Sequence, residues 1–246
     1  MRTLPAIFGL LLTLVTTLVP AQGLWVEAKV LVPLRVELPT PYDPSRSYPL
    51  VVLLHGRGGS GEAMLTLRTR LGEKGFILAA PQGPYPTGSG FRWFHPSDDP
   101  RLWAHTDPYA VELMQRIIQA LKQRYPAGGV YLLGHSEGAA LAYLTAARLR
   151  QEVAGVLAFG AGPPKAILGE PDLAALRGMP HFLAHGREDH LFPYADLSAR
   201  LAFWQAAQVP TTFEGYAGGH DLDFAPLRAA SAWILKLERA KPPVAP

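Results

Sequence analysis

The chain contains no cysteine. That excludes disulfides, thiolate metal centres, a cysteine nucleophile and the lipid-bearing cysteine of a bacterial lipoprotein. Asparagine is absent as well, and arginine outnumbers lysine. Scarcity of thermolabile residues fits selection at high temperature, although genome base composition produces the same bias. Charge is sparse: 17% of residues are charged and the net charge is +3. No block of five like charges occurs, so nothing supports nucleic-acid binding. Internal repeats, low-complexity tracts and linkers are also missing. What remains is 246 residues, 48% of them hydrophobic, enough for one sizeable core.

The single long apolar stretch is amino-terminal. Met1–Ala21 has an early positive charge at Arg2, an apolar run from Ala6 to Val19 and a small-residue end at Val19-Pro20-Ala21. This is the pattern of an export signal. An uncleaved anchor is the alternative, but the run is short for spanning a bilayer. The reading is therefore a signal over 1–21, one domain over 22–246, and a secreted or periplasmic location. No stable membrane insertion is expected once the signal is removed.

Apolar residues alternate from Leu24 to Leu38, predicting a strand or hairpin with one buried face. Leu50–Leu54 is continuously apolar, as in a strand buried on both faces. Further strands are predicted at Phe76–Ala80, Val130–Leu133, Val153–Phe159, His181–Ala184 and Thr211–Gly215. Helices are predicted over Glu62–Lys74, Tyr109–Arg124, Ala139–Leu144 onward, Ala195–Gln208 and Asp221–Leu237. Pro81–Pro108 reads as a long irregular segment carrying Tyr85, Phe91, Trp93, Phe94 and Trp103. Short strands alternating with helices imply an α/β fold, a mostly parallel central sheet with helices on both faces.

The centre of the pattern is Gly134-His135-Ser136-Glu137-Gly138, between a predicted strand and a predicted helix. A serine at the tip of such a turn needs glycine on both sides, because strand and helix backbones meet there. A serine hydroxyl attacks only when a base takes its proton, and a histidine can do so if a carboxylate fixes its tautomer. Asp189 and His220 each follow a predicted strand and stand in the order Ser136, Asp189, His220. Glu188 is the nearest alternative acid. Two donors are needed for the oxyanion: the backbone N–H groups of Glu137 and, in the glycine-rich loop after Leu54, of Arg57. That loop lacks the Lys-Ser/Thr ending of a phosphate-binding loop. His55 reads as structural, and His135 as turned away from the reactive face. His181, His185 and His190 are spaced too loosely for a metal site. No cofactor or metal is expected.

These residues resemble a known family. Leu54-His55-Gly56-Arg57-Gly58-Gly59, the pentapeptide, Gly186-Arg187-Glu188-Asp189-His190-Leu191-Phe192-Pro193 and Gly218-Gly219-His220 are similar to the α/β-hydrolases of the carboxylesterase, phospholipase and acyl-protein thioesterase family. Relatives often carry Gln after the nucleophile and Asp before the catalytic Asp, where this chain has Glu137 and Glu188. The acidic Glu137 side chain is expected to disfavour anionic substrates, and the export signal departs from cytosolic thioesterases. The resemblance implies a serine esterase acting on short- to medium-chain acyl or aryl esters, as a monomer or homodimer. Trp93, Phe94, Trp103 and Phe192 are the candidate pocket residues. A serine peptidase on the same scaffold and a noncatalytic binding protein are the alternatives.

Overall fold

A computed structural model describes residues 30–72, 75–95, 100–162 and 167–240. The expected export signal lies outside these residues. In chain order the elements are β1 (Leu34–Glu37), β2 (Tyr48–Leu54), α1 (Gly61–Leu65), α2 (Arg68–Leu71), β3 (Ile77–Pro81), β4 (Tyr85–Pro86), β5 (Phe91–Arg92) and α3 (Pro100–Arg124). There follow β6 (Ala127–His135), α4 (Glu137–Arg148), β7 (Gly155–Phe159), α5 (Glu170–Leu176), β8 (His181–Gly186), α6 (Leu197–Ala206), β9 (Thr211–Tyr216) and α7 (Phe224–Arg239).

Among the described residues seven strands form one sheet in the order β1-β3-β2-β6-β7-β8-β9. Only β1 runs antiparallel, pairing with β3; the other neighbours are parallel. The period-two rule explains how a continuous apolar strand serves two cores. On β2, Leu50, Val52 and Leu54 face a layer holding Met114 and Ile118 of α3, Leu141 of α4 and Trp204 of α6. Val51 and Leu53 face the opposite layer, with Met64 of α1, Leu71 of α2 and Leu227 and Ile234 of α7. Parallel strands place all their carboxyl ends on one edge, and ligands of open α/β sheets bind there.

The structure revises three local expectations. Of the alternating stretch Leu24–Leu38, only Leu34–Glu37 is a strand in the described residues, at the sheet edge. The predicted helix over Glu62–Lys74 is broken into α1 and α2, since the Thr66 hydroxyl donates back to the Ala63 carbonyl at 2.7 Å and competes with helix continuation. The aromatic segment 81–108 is not one long loop. It contains the β4–β5 hairpin, and its residues from Pro100 on are helical in α3. Trp103 therefore belongs to a helix, and its side chain lies outside the described residues.

Candidate active site

The elbow at Ser136 is tight because two glycines have no Cβ. A methyl group at Gly134 would stand 2.3 Å from the Gly138 carbonyl oxygen, and one at Gly138 would stand 2.2 Å from the Leu54 carbonyl oxygen. Ser136 itself adopts φ 52° and ψ −116°, a strained region for a residue with a side chain. Its N–H donates to the Phe159 carbonyl at 2.9 Å, which ties the turn to the end of β7. The Ser136 hydroxyl makes no capping bond to α4. Gly56, in the loop after β2, passes over the serine: a Cβ there would lie 3.3 Å from the Ser136 Cβ.

Asp189 follows β8 and is 3% exposed. Its carboxylate is filled on both oxygens. Oδ1 accepts the N–H groups of Leu191 and Phe192, each at 2.9 Å. Oδ2 accepts Nδ1–H of His220 at 2.8 Å. Burial works to raise the Asp189 carboxyl, but the Phe192 N–H, the His220 bond and its charge, and the Leu191 N–H together hold it below the usual carboxylate range. Because an ionised carboxylate only accepts, Nδ1 carries the imidazole proton and Nε2 presents its lone pair. Among the described residues His220 Nε2 has no hydrogen-bond partner. Gly160, at φ +53°, leaves room for this ring, since a Cβ there would be 3.1 Å from both His220 Cε1 and Nδ1. Glu188, the alternative acid, instead caps the turn through its backbone, donating to Gly218.

The two N–H groups assigned to the oxyanion, those of Arg57 and Glu137, make no hydrogen bond among the described residues. Their neighbours are fixed. Gly58 N–H donates to Phe91 O and Phe91 N–H to Gly59 O, each at 2.9 Å, so the loop is paired to β5. His55, just before it, is fully occupied. Its Nδ1–H donates to Gly56 O at 2.8 Å, and its Nε2 accepts Gly83 N–H at 3.0 Å. Burial lowers its pKa.

The four candidate pocket residues separate. Phe192 sits at the site, its ring 5.5 Å from that of His220. Phe94 is half-buried against the main core. Trp93 is 1% exposed, its ring is 4.6 Å from that of His55, and its indole N–H donates to His55 O at 2.7 Å. It is core, with almost no surface for a ligand. The indole found a buried acceptor, which composition alone does not reveal. Leu191, next to Phe192, holds Asp189 through its backbone N–H while its side chain is exposed.

Other groups were also missed. His135 does not turn away from the site. Its ring lies 5.0 Å from that of His220, and its Nε2–H donates to the His220 carbonyl. Burial lowers its pKa. His185 Nε2–H donates to Phe192 O at 2.7 Å and stands 3.6 Å from Asp189 Oδ2. Since that nitrogen already carries a proton, its 3.4 Å approach to Arg200 Nη2 is packing and not a bond. Arg200, 6% exposed, donates to Ala161 O at 2.7 Å and Pro193 O at 3.0 Å, joining the loops after β7 and β8. The Glu137 side chain is not a bare negative charge at the mouth. Arg92 Nη2 lies 3.0 Å and Arg57 Nε 3.6 Å from its Oε1. With two arginines against one carboxylate, the expected bias against anionic substrates loses its basis. Among the described residues no group of three His, Asp or Glu is placed to hold a metal.

A mostly parallel sheet, with a serine at the turn between its central strand and the following helix, defines an α/β-hydrolase. The chain matches the Phospholipase/Carboxylesterase family over residues 42–237 and belongs to that family; it is a carboxylic ester hydrolase. No curated protein matches it in a sequence comparison. Several solved structures share the fold. A Bacillus cereus carboxylesterase is 19% identical with a TM-score of 0.68, covering 84% of this chain and 94% of its own. A carboxylesterase from Mesorhizobium loti is 20% identical with a TM-score of 0.66, covering 77% and 90%. The esterase PE8 is 21% identical with a TM-score of 0.67, covering 85% and 100%.

Proposed function

We propose that the protein is an exported serine esterase of short- to medium-chain acyl or aryl esters, acting through an acyl-enzyme on Ser136. The observation that carries this is the His220 imidazole, held by Asp189 with Nε2 uncommitted, on the same sheet edge as the strained Ser136 turn. In the first step Ser136 Oγ bonds to the ester carbonyl carbon while His220 Nε2 takes the hydroxyl proton. The carbonyl oxygen becomes an oxyanion facing the N–H groups of Arg57 and Glu137, at the positive end of α4. Asp189 stabilises the imidazolium without itself taking a proton. The tetrahedral centre collapses, the C–O bond to the alcohol breaks, and His220 returns its proton to the departing alkoxide. Water then attacks the acyl-enzyme, with His220 again as base, and releases the acid and Ser136.

The Phe192 ring beside His220 supports an apolar acyl or aryl group. Export rests on the Met1–Ala21 pattern. The test is hydrolysis of p-nitrophenyl esters of increasing chain length by the wild type and Ser136→Ala, together with fluorophosphonate labelling. Labelling at Ser136 and near-complete loss in the variant are expected. Full hydrolysis by Ser136→Ala overturns the mechanism. Mass spectrometry of the exported protein should find a mature start near Gln22.

A further inference from the structure

Glu137 follows the nucleophile, and the serine mechanism uses only its backbone N–H. Its side chain is nevertheless 9% exposed and fully engaged. A carboxylate that far from water is retained only when it is paired and hydrogen-bonded. Oε1 accepts Arg92 Nη2–H at 3.0 Å, and Oε2 accepts the backbone N–H of Trp93 at 2.9 Å. Arg57 Nε stands 3.6 Å from Oε1.

All three partners lead to the second oxyanion donor. Arg57 is the residue whose N–H is that donor. Arg92 and Trp93 belong to a strap over residues 91–93. Phe91 of that strap forms the two 2.9 Å bonds to Gly58 and Gly59, the residues just after Arg57. Trp93 fastens the strap again, through its indole N–H to the His55 carbonyl at 2.7 Å, two residues before Arg57. The strap is thus bonded to the oxyanion loop on both sides of Arg57. Glu137 is the bond that joins it to the elbow. Close packing leaves no play: a Cβ at Gly90 would lie 2.3 Å from Gly58 O.

We propose that the Glu137 carboxylate is a positioning residue that sets the spacing between the two oxyanion donors, the N–H groups of Glu137 and Arg57. One residue supplies one donor through its backbone and holds the other through its side chain. An oxyanion needs both donors at bonding distance at once, and the ground-state carbonyl needs this less. Releasing the strap therefore affects the transition state and spares substrate binding. This inference rests on the serine-esterase reading above.

The test compares Glu137→Ala and Glu137→Gln with wild type on a p-nitrophenyl ester. It also measures inhibition by a trifluoromethyl ketone, which forms a tetrahedral adduct. Misplacing a donor by a fraction of an ångström, as distinct from deleting it, predicts a kcat loss of about 10- to 100-fold in Glu137→Ala. KM should stay within about threefold, and ketone affinity should fall in step with kcat. Glu137→Gln keeps an acceptor for Trp93 N–H but sets its NH2 against Arg92 Nη2, so it should recover only part of the loss. If Glu137→Ala does not fold, the double variant Glu137→Gln/Arg92→Met removes both the charge of Glu137 and its contact with Arg92 with little change of volume, and a loss of about tenfold in kcat is expected. A folded Glu137→Ala with wild-type kcat, a loss carried by KM alone, or a double variant with wild-type kcat overturns the proposal. These outcomes are separable from failure of the underlying reading, which shows as hydrolysis that survives Ser136→Ala.

Discussion

Replacing Asp189 by Asn is nearly isosteric, yet the geometry predicts a severe and specific loss. Three donors converge on this carboxylate: the N–H groups of Leu191 and Phe192 on Oδ1, and Nδ1–H of His220 on Oδ2. An amide offers one oxygen and one NH2 in their place. With its NH2 toward the backbone, two donor–donor clashes arise at 2.9 Å in a buried site. With its NH2 toward His220, only one does. Each net hydrogen bond is worth about 1 kcal/mol, so the second orientation is favoured by roughly that amount. In it, His220 must turn its Nδ1 lone pair to the amide and carry its proton on Nε2. That tautomer cannot accept the Ser136 proton. The carboxylate that would stabilise the imidazolium is also gone. A wrong tautomer in such a triad costs about 10⁴-fold in kcat, or about 5 kcal/mol of barrier. The assay is p-nitrophenyl ester hydrolysis by Asp189→Asn, with circular dichroism and thermal melting as controls for folding. A kcat within tenfold of wild type in a folded protein would refute the assignment of Asp189 and the tautomer argument with it.

Two further predictions concern stability. His181 is buried between Tyr143 and Trp204, its two ring nitrogens have no partner among the described residues, and burial, with the Arg150 charge, pushes its pKa down to about 3 from 6.5. The unfolded chain therefore takes up the proton first, so this stability is intact above about pH 6.5 and is lost as pH falls toward 3. At about two units below the unfolded pKa the loss is about 3 kcal/mol, and His181→Leu should flatten the urea-unfolding stability profile between pH 7 and 4.5 by up to that amount. An unchanged slope would refute it. Gly138→Ala places a methyl group 2.2 Å from Leu54 O and should cost about 3 kcal/mol or more in chemical denaturation. Gly88→Ala, with nothing within 4 Å, serves as the near-neutral control.

Much of this was legible in the residues because chain-local physics carries it. The run Leu50–Leu54 and the elbow sequence determined strand, turn and helix, since period and steric room are properties of neighbouring residues. The order of Ser136, Asp189 and His220, each after a predicted strand, named the candidate groups. The folded chain decided what distant segments do to one another. Trp93 read as a pocket aromatic because exposure is not written in sequence; only the fold shows its indole against His55. His135 read as turned off the reactive face of the elbow, but the chain beyond β9 returns to meet it. Trp103 read as part of an irregular segment, whereas it lies in a helix that continues through Pro108. Glu137 read as a backbone donor, and its partners Arg92 and Trp93 lie more than forty positions away. The sequence alone determined which chemical groups were available and which local turns would present them. Only the tertiary structure decided their burial, pairing and tautomers, because those depend on contacts between segments that no local pattern encodes.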